Sequence, residues 1–141
     1  MVKVRVKKLN ENTVIPSYAH GGDAGFDLSS AYDYVIRSGK REIVKTGFSM
    51  EIPEGYFGNI KDRSSVTLKN GVHVLAGVVD SNYRGEVGIV MINLGEEDYE
   101  IRVGDRVAQM LLEKVERVEF EEASELEDSL RGTGGFGSSG V

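Results

Sequence analysis

GVHVLAGVVDSNYRGEVGIVMINL, residues 71–94, holds two runs rich in β-branched residues, 72–79 and 86–94, on either side of DSNYRG at 80–85. Val and Ile restrict their own χ1 against a helix but suit a pleated surface, and the Asp/Ser/Asn/Gly cluster between the runs is turn chemistry. The stretch therefore reads as two strands joined by a hairpin turn. The same signal recurs outward from it. Residues 56–60 are extended, and 41–52 carry Ile43, Val44, Phe48, Met50 and Ile52 before Pro53-Glu54-Gly55 stops the run. At the start of the chain Val2, Val4 and Val6 alternate with Lys3, Arg5 and Lys7, the period of a half-buried strand. Residues 101–103 and 107–118 add two more extended segments around Gly104-Asp105. Regularly spaced short strands with turn signals between them point to an all-β fold, either a barrel or a jelly-roll-like sandwich. Two segments carry a second signal. Residues 106–122 also fit a helical stripe through Val107, Met110, Leu111 and Val115. Residues 64–70 can form one short helix, capped by Ser64 or Ser65 and ended at Gly71.

The chain has 141 residues, a formal net charge of −6 and no cysteine. That length supports one domain with its own core, and it leaves no disulfide framework or thiolate metal site. With His20 and His73 its only histidines, an all-His zinc site within one subunit is excluded too. No apolar stretch resembles a signal peptide or a membrane span, so a cytoplasmic protein with no membrane partner is expected. The negative charge argues against broad nucleic-acid binding, which needs a basic face. A small phosphorylated ligand would need a local concentration of Arg, backbone N–H groups and a divalent cation.

Several segments hold residues suited to such a ligand. Asp80 ends an apolar strand, where a carboxylate can orient a water for attack, and Tyr83 follows three residues later. Asp62-Arg63-Ser64-Ser65 places hydroxyls and a guanidinium where a helix can begin, a plausible phosphate cradle as well as an ordinary helix start. Asp27, in the small and apolar run AGFDLSS at 24–30, is either a metal-shell carboxylate or a satisfied polar group, and spacing alone leaves both open. Gln109 interrupts apolar residues after Gly104-Asp105. An acidic, weakly patterned linker at 119–130 then leads to RGTGGFGSSG at 131–140. So many glycines oppose regular structure, and composition alone suits a Gly/Ser tail. The same residues suit a nucleotide: Arg131 as a forked cation, Phe136 to stack on a base, and Gly137, Ser138 and Ser139 as phosphate donors.

No Gly-x-x-x-x-Gly-Lys-[Ser/Thr] loop, Gly-x-Ser-x-Gly elbow or His-Glu-x-x-His pair is present. Taken together, AGFDLSS (24–30), DRSSV (62–66), GVVDSNYRG (77–85), GDRVAQ (104–109) and RGTGGFGSSG (131–140) resemble the five ordered motifs of the trimeric dUTPase family. The resemblance covers nearly the whole chain. It implies a jelly-roll-like barrel over 1–130 and a mobile arm over 131–141, in a homotrimer with active sites shared between subunits. It further implies Mg²⁺-dependent hydrolysis of dUTP to dUMP and pyrophosphate by water attack on the α-phosphorus. That reaction limits uracil in DNA and supplies dUMP for thymidylate synthesis.

By the same resemblance, Asp80 would position and activate the water, and Tyr83 would pack on the deoxyribose. The backbone of the third motif, including Gly77 and Val78, would read uracil. Arg63, Ser64, Ser65 and Gln109 would lie around the phosphates, with Asp27 in the water shell of Mg²⁺. Phe136 would cover the uracil from another subunit, with Arg131, Gly137, Ser138 and Ser139 on the phosphates. This chain departs from the family's usual Pro-Arg-Ser-Gly at Asp62 and Ser65, and it has Asn82 where an acid is common. Two other readings share the scaffold: a dCTP deaminase, whose characteristic acid is not found in this chain, and a non-catalytic nucleotide-binding module.

Overall fold

The computed structural model describes residues 1–138. Its strands are β1 (Arg5–Lys8), β2 (Phe26–Ser29), β3 (Tyr34–Ile36), β4 (Arg41–Lys45), β5 (Phe48–Glu51) and β6 (Tyr56–Asp62). A single helix among the described residues, α1 (Ser64–Asn70), comes next. It is followed by β7 (Val72–Leu75), β8 (Val78–Val79), β9 (Gly88–Asn93), β10 (Tyr99–Ile101) and β11 (Arg106–Lys114). All pairing is antiparallel. It gives a four-stranded sheet β2-β11-β6-β8, a three-stranded sheet β4-β9-β7, and the pairs β1-β5 and β10-β3. Together these form a distorted, jelly-roll-like barrel around one core.

Alternation builds that core. In β9, Ile89, Met91 and Asn93 point inward and are almost wholly buried, while the residues between them are half-exposed. Leu28, Ile36, Val44, Phe48, Ile101, Val107 and Met110 join them from six other strands. Each such side chain contributes about 1.5–3 kcal/mol by leaving water. Asn93 is the polar member and is fully satisfied. Its Nδ2 donates to the carbonyls of Ile36 and Glu97, both at 2.8 Å, and its Oδ1 accepts from Gly95 N–H at 2.9 Å.

The structure resolves the ambiguous segments and corrects three boundaries. Residues 106–114 are strand, not helix, and no strand or helix continues beyond Lys114 among the described residues. The 41–52 run is two strands in different sheets: β4 pairs with β9, and β5 with β1. Between them Gly47 takes φ 74°, and a Cβ there would lie 2.7 Å from that of Ala31. The expected hairpin is real but wide. β7 pairs with β9 from Val72↔Asn93 to Leu75↔Val90, after which the chain leaves the ladder. Ala76 (φ 59°) and Gly77 (φ 100°) bend it away, so that β8 pairs with β6 instead. Helix α1 ends at Gly71 as expected, in the left-handed conformation. Its N-cap is Arg63 rather than a serine, and no side chain caps it.

Candidate active site

Asp27 lies on edge strand β2, in register with Gln109 of β11, which in turn faces Lys61 of β6. Its carboxylate, largely buried, accepts from two arginines. Arg63 Nε donates to Oδ1 at 3.0 Å, and Arg106 Nη1 donates to Oδ2 at 3.1 Å. Arg63 Nη1 also donates to the Arg106 carbonyl at 3.0 Å, so the two guanidinium groups are held side by side against their own repulsion. Gln109 Nε2 donates to the Asp62 carbonyl at 2.8 Å, tying β11 to the end of β6. Ser64 and Ser65 follow on the exposed first turn of α1, where Val66 and Thr67 N–H donate back to the Arg63 carbonyl. Asp62, the acid beside this cradle, is engaged elsewhere. Its Oδ1 accepts from Val74 N–H at 2.6 Å, and its Oδ2 lies 2.7 Å from His73 Nδ1. Behind the cluster, burial pushes the Tyr99 hydroxyl above its ordinary pKa. Asp105 adds to that shift and Arg63 opposes it, so Tyr99 stays neutral at working pH.

Two clamped cations and an exposed row of hydroxyls suit a polyphosphate. They do not suit a protein-caged metal: among the described residues no group of three or more His, Asp or Glu is placed to hold one. Arg106 was not singled out by sequence reasoning. Its signal was there, in the Arg of GDRVAQ.

The second group lies elsewhere. Asp80 follows β8 and is exposed, with no cation or donor paired to its carboxylate among the described residues. Tyr83 N–H donates to the Asp80 carbonyl at 3.1 Å, and the Tyr83 hydroxyl donates to the Glu86 carbonyl at 3.0 Å. The ring lies over Gly85, where a Cβ would come within 2.9 Å of Tyr83 Cε2. Asp80, Ser81, Asn82 and Arg84 border a cleft of about 910 Å³ with Tyr56 and Phe57. At the near end of this loop the Gly77 carbonyl accepts from Ile60 N–H at 2.7 Å, while the Val78 side chain is exposed.

One chain does not bring the two groups together. Val79 is level with Gly58 and Asp27 with Lys61, on opposite edges of the four-stranded sheet. Three strand spacings across and four residues along place Asp80 and Asp27 on the order of 20 Å apart. The third group, Arg131, Phe136, Gly137 and Ser138, is exposed and joins neither. Arg131 Nε donates only to the Gly134 carbonyl, at 2.9 Å. Ser139 lies outside the described residues.

The dUTPase family profile matches residues 11–140. The chain belongs to the dUTPase family. The deoxyuridine 5′-triphosphate nucleotidohydrolase of Clostridium tetani is 45% identical over 139 residues, which cover 97% of this chain and 96% of that one. The Staphylococcus bacteriophage 80alpha dUTPase with dUpNHpp superposes with a TM-score of 0.93 at 31% identity, covering 99% of both chains. A point mutant of the dUTPase from phage phi11 of S. aureus, described for its coordination of a structural Mg(II) ion, superposes at 0.83 with 28% identity, over 89% of this chain and 99% of that one. No helix among the described residues is long and apolar enough to cross a membrane.

Proposed function

We propose that this dUTPase-family chain hydrolyses dUTP to dUMP and pyrophosphate, with water attacking the α-phosphorus. One observation carries the reading. A chain that matches dUTPases over nearly its whole length keeps Asp80 exposed and uncommitted, while Asp27 holds two arginines ready for phosphate.

In this reading Asp80 orients the attacking water and takes part of its proton. A carboxylate with an ordinary pKa of about 4 is a weak base, so orientation is its larger contribution. Tyr83, fixed over Gly85 by its bond to Glu86, packs on the deoxyribose and leaves no room for a 2′-hydroxyl. The backbone at Gly77 and Val78 reads uracil. Arg63, Ser64 and Ser65 bind phosphates, and Gln109 holds the end of β6 that leads into them. Arg131, Phe136, Gly137, Ser138 and Ser139, in the arm 131–141, close over the nucleotide from another copy and exclude bulk water. The domain proper is 1–130.

The donor set fits Mg²⁺ in one manner only. With both Asp27 oxygens accepting from guanidinium groups and no carboxylate cluster nearby, the ion would be held by the triphosphate and its own waters, with Asp27 reaching it through water. When bound, Mg²⁺ supplies neutralisation of the charge that develops on the leaving pyrophosphate. The distance between Asp27 and Asp80 within one chain supports sites that draw on more than one subunit, as the homotrimer expected from the family resemblance requires.

The test is pyrophosphate release from dUTP, dTTP, dCTP and UTP at matched concentrations with Mg²⁺, repeated with EDTA. Release from dUTP alone, abolished by EDTA, is expected. Ammonia release from dCTP would instead mark a deaminase, and binding without release a non-catalytic module.

A further inference from the structure

We propose that Arg84 is a positioning residue that aims Asp80, acting as a clamp between the loop bearing the carboxylate and the barrel wall. Residues 80–87 lie between β8 and β9, outside any strand ladder, so their shape depends on local bonds. Arg84 supplies the strongest of them. Its Nη1 donates to the Ser81 carbonyl at 2.6 Å and to the Tyr83 carbonyl at 2.8 Å, gathering two carbonyls of the turn on one charged donor.

The other nitrogen reaches out of the loop. Nη2 lies 3.9 Å from Glu51 Oε1 on β5, and Glu51 Oε2 is ion-paired with Arg5 of β1. The far side of the loop is tied down separately. Glu86 Oε1 accepts from Gly47 N–H at 3.0 Å, and its Oε2 lies 3.6 Å from Lys45 Nζ. Asp80 therefore sits on a turn held at both ends, with Arg84 as the clamp on its own side.

The ion pairs themselves are solvent-exposed and contribute little to stability. The two carbonyl bonds act on geometry instead. Without them the Ser81 and Tyr83 peptides can turn to water, and the Asp80 carboxylate turns with the backbone that carries it. Arg84 lines the same cleft as Asp80, so a rival role as a phosphate-binding cation must be separable from this one.

This inference rests on Asp80 as the water-orienting group. A misplacement of about 1 Å at such a group costs up to about 100-fold in rate, so Arg84→Met is expected to lower kcat for dUTP by about 10- to 100-fold. KM should stay within about threefold, because transition-state and not ground-state contacts are lost. Arg84→Lys, which keeps a cation able to reach the carbonyls, should recover part of the loss. Glu51→Gln, which weakens the outer tether and the pair with Arg5 but leaves both carbonyl bonds of Arg84, should lose about two- to fivefold. The deciding measurement is epistasis. Against an Asp80→Asn background, Arg84→Met should cause no further drop, because its effect runs through the carboxylate.

Wild-type kcat in Arg84→Met would overturn the proposal. So would a raised KM at unchanged kcat, the mark of a substrate-binding cation, or a full additional loss in the double variant. If Arg84→Met does not fold, Arg84→Lys and Glu51→Gln carry the same test, and wild-type kcat in both overturns it. Normal turnover in Asp80→Asn would sink the catalytic reading itself. An inactive Asp80→Asn beside a normal Arg84→Met would sink only the clamp.

Discussion

Asp27 shows how a single residue's role is set by what touches it. Spacing left it open between a metal-shell carboxylate and a satisfied polar group; the structure puts a guanidinium on each of its oxygens. Asp27→Asn removes the charge that keeps Arg63 and Arg106 together, and its amide nitrogen faces a donor. Losing such charge-assisted bonds costs about 1.5–3 kcal/mol, so an unfolding free energy lowered by that amount is expected in urea melts. The KM for dUTP should rise about tenfold, for one phosphate cation misplaced. An unchanged KM would remove Asp27 from the phosphate cradle. Gly85 makes the same point through absence of a side chain. A Cβ there collides with the Tyr83 ring, which is exposed and can swing aside. Gly85→Ala should therefore fold normally yet admit a 2′-hydroxyl, raising kcat/KM for UTP relative to dUTP by roughly tenfold. Undiminished discrimination would show that Tyr83 does not exclude ribose.

At the scale of elements, alternation revealed strands and little about which sheet each joins. Residues 41–52 read as one extended run because periodicity is blind to a change of partner; only Gly47 marks the switch from β9 to β1. That position combines a left-handed φ with Thr13 and Ala31 packed against its Cα. The backbone strain of an L-residue and the overpacking together predict that Gly47→Ala lowers stability by about 2–4 kcal/mol, read by urea melts. A loss under about 1 kcal/mol would mean the neighbours yield easily. The helix-like stripe at 106–122 has a different cause. β11 is flanked by β2 and β6, and between its exposed ends every residue is buried or half-buried. A strand covered on both faces loses its alternation and imitates a helical pattern. Helix α1 and its glycine stop were legible because both signals are local, but its start was not. Arg63 occupies the cap with its side chain turned to Asp27, a contact 36 residues away in sequence.

For the whole molecule, sharing of sites between subunits was an expectation carried by the family resemblance alone, because spacing along the chain says nothing of how far apart the five segments lie. Motifs in one chain invite assembly into one site, yet the sheet order puts Asp27 and Asp80 on opposite edges, and the residues from 115 to 138 carry no strand or helix to bring the arm to either. Removing the chain after Leu130 leaves every strand and the core intact, so unchanged melting with hydrolysis of dUTP reduced by about 100-fold or more is expected. Normal hydrolysis would make the segment a tail. Sharing between copies has a sharper consequence. In the proposed trimer, Arg63→Ala and Asp80→Asn would each disable a different half of every site. Unfolded together and refolded at equal ratio, they should regain about one intact site in four if each site draws the two halves from different copies. Sites confined to one chain would regain nothing, because every chain in the mixture carries one of the two lesions. Pyrophosphate release from the co-refolded mixture, compared with the two variants refolded apart, decides between them.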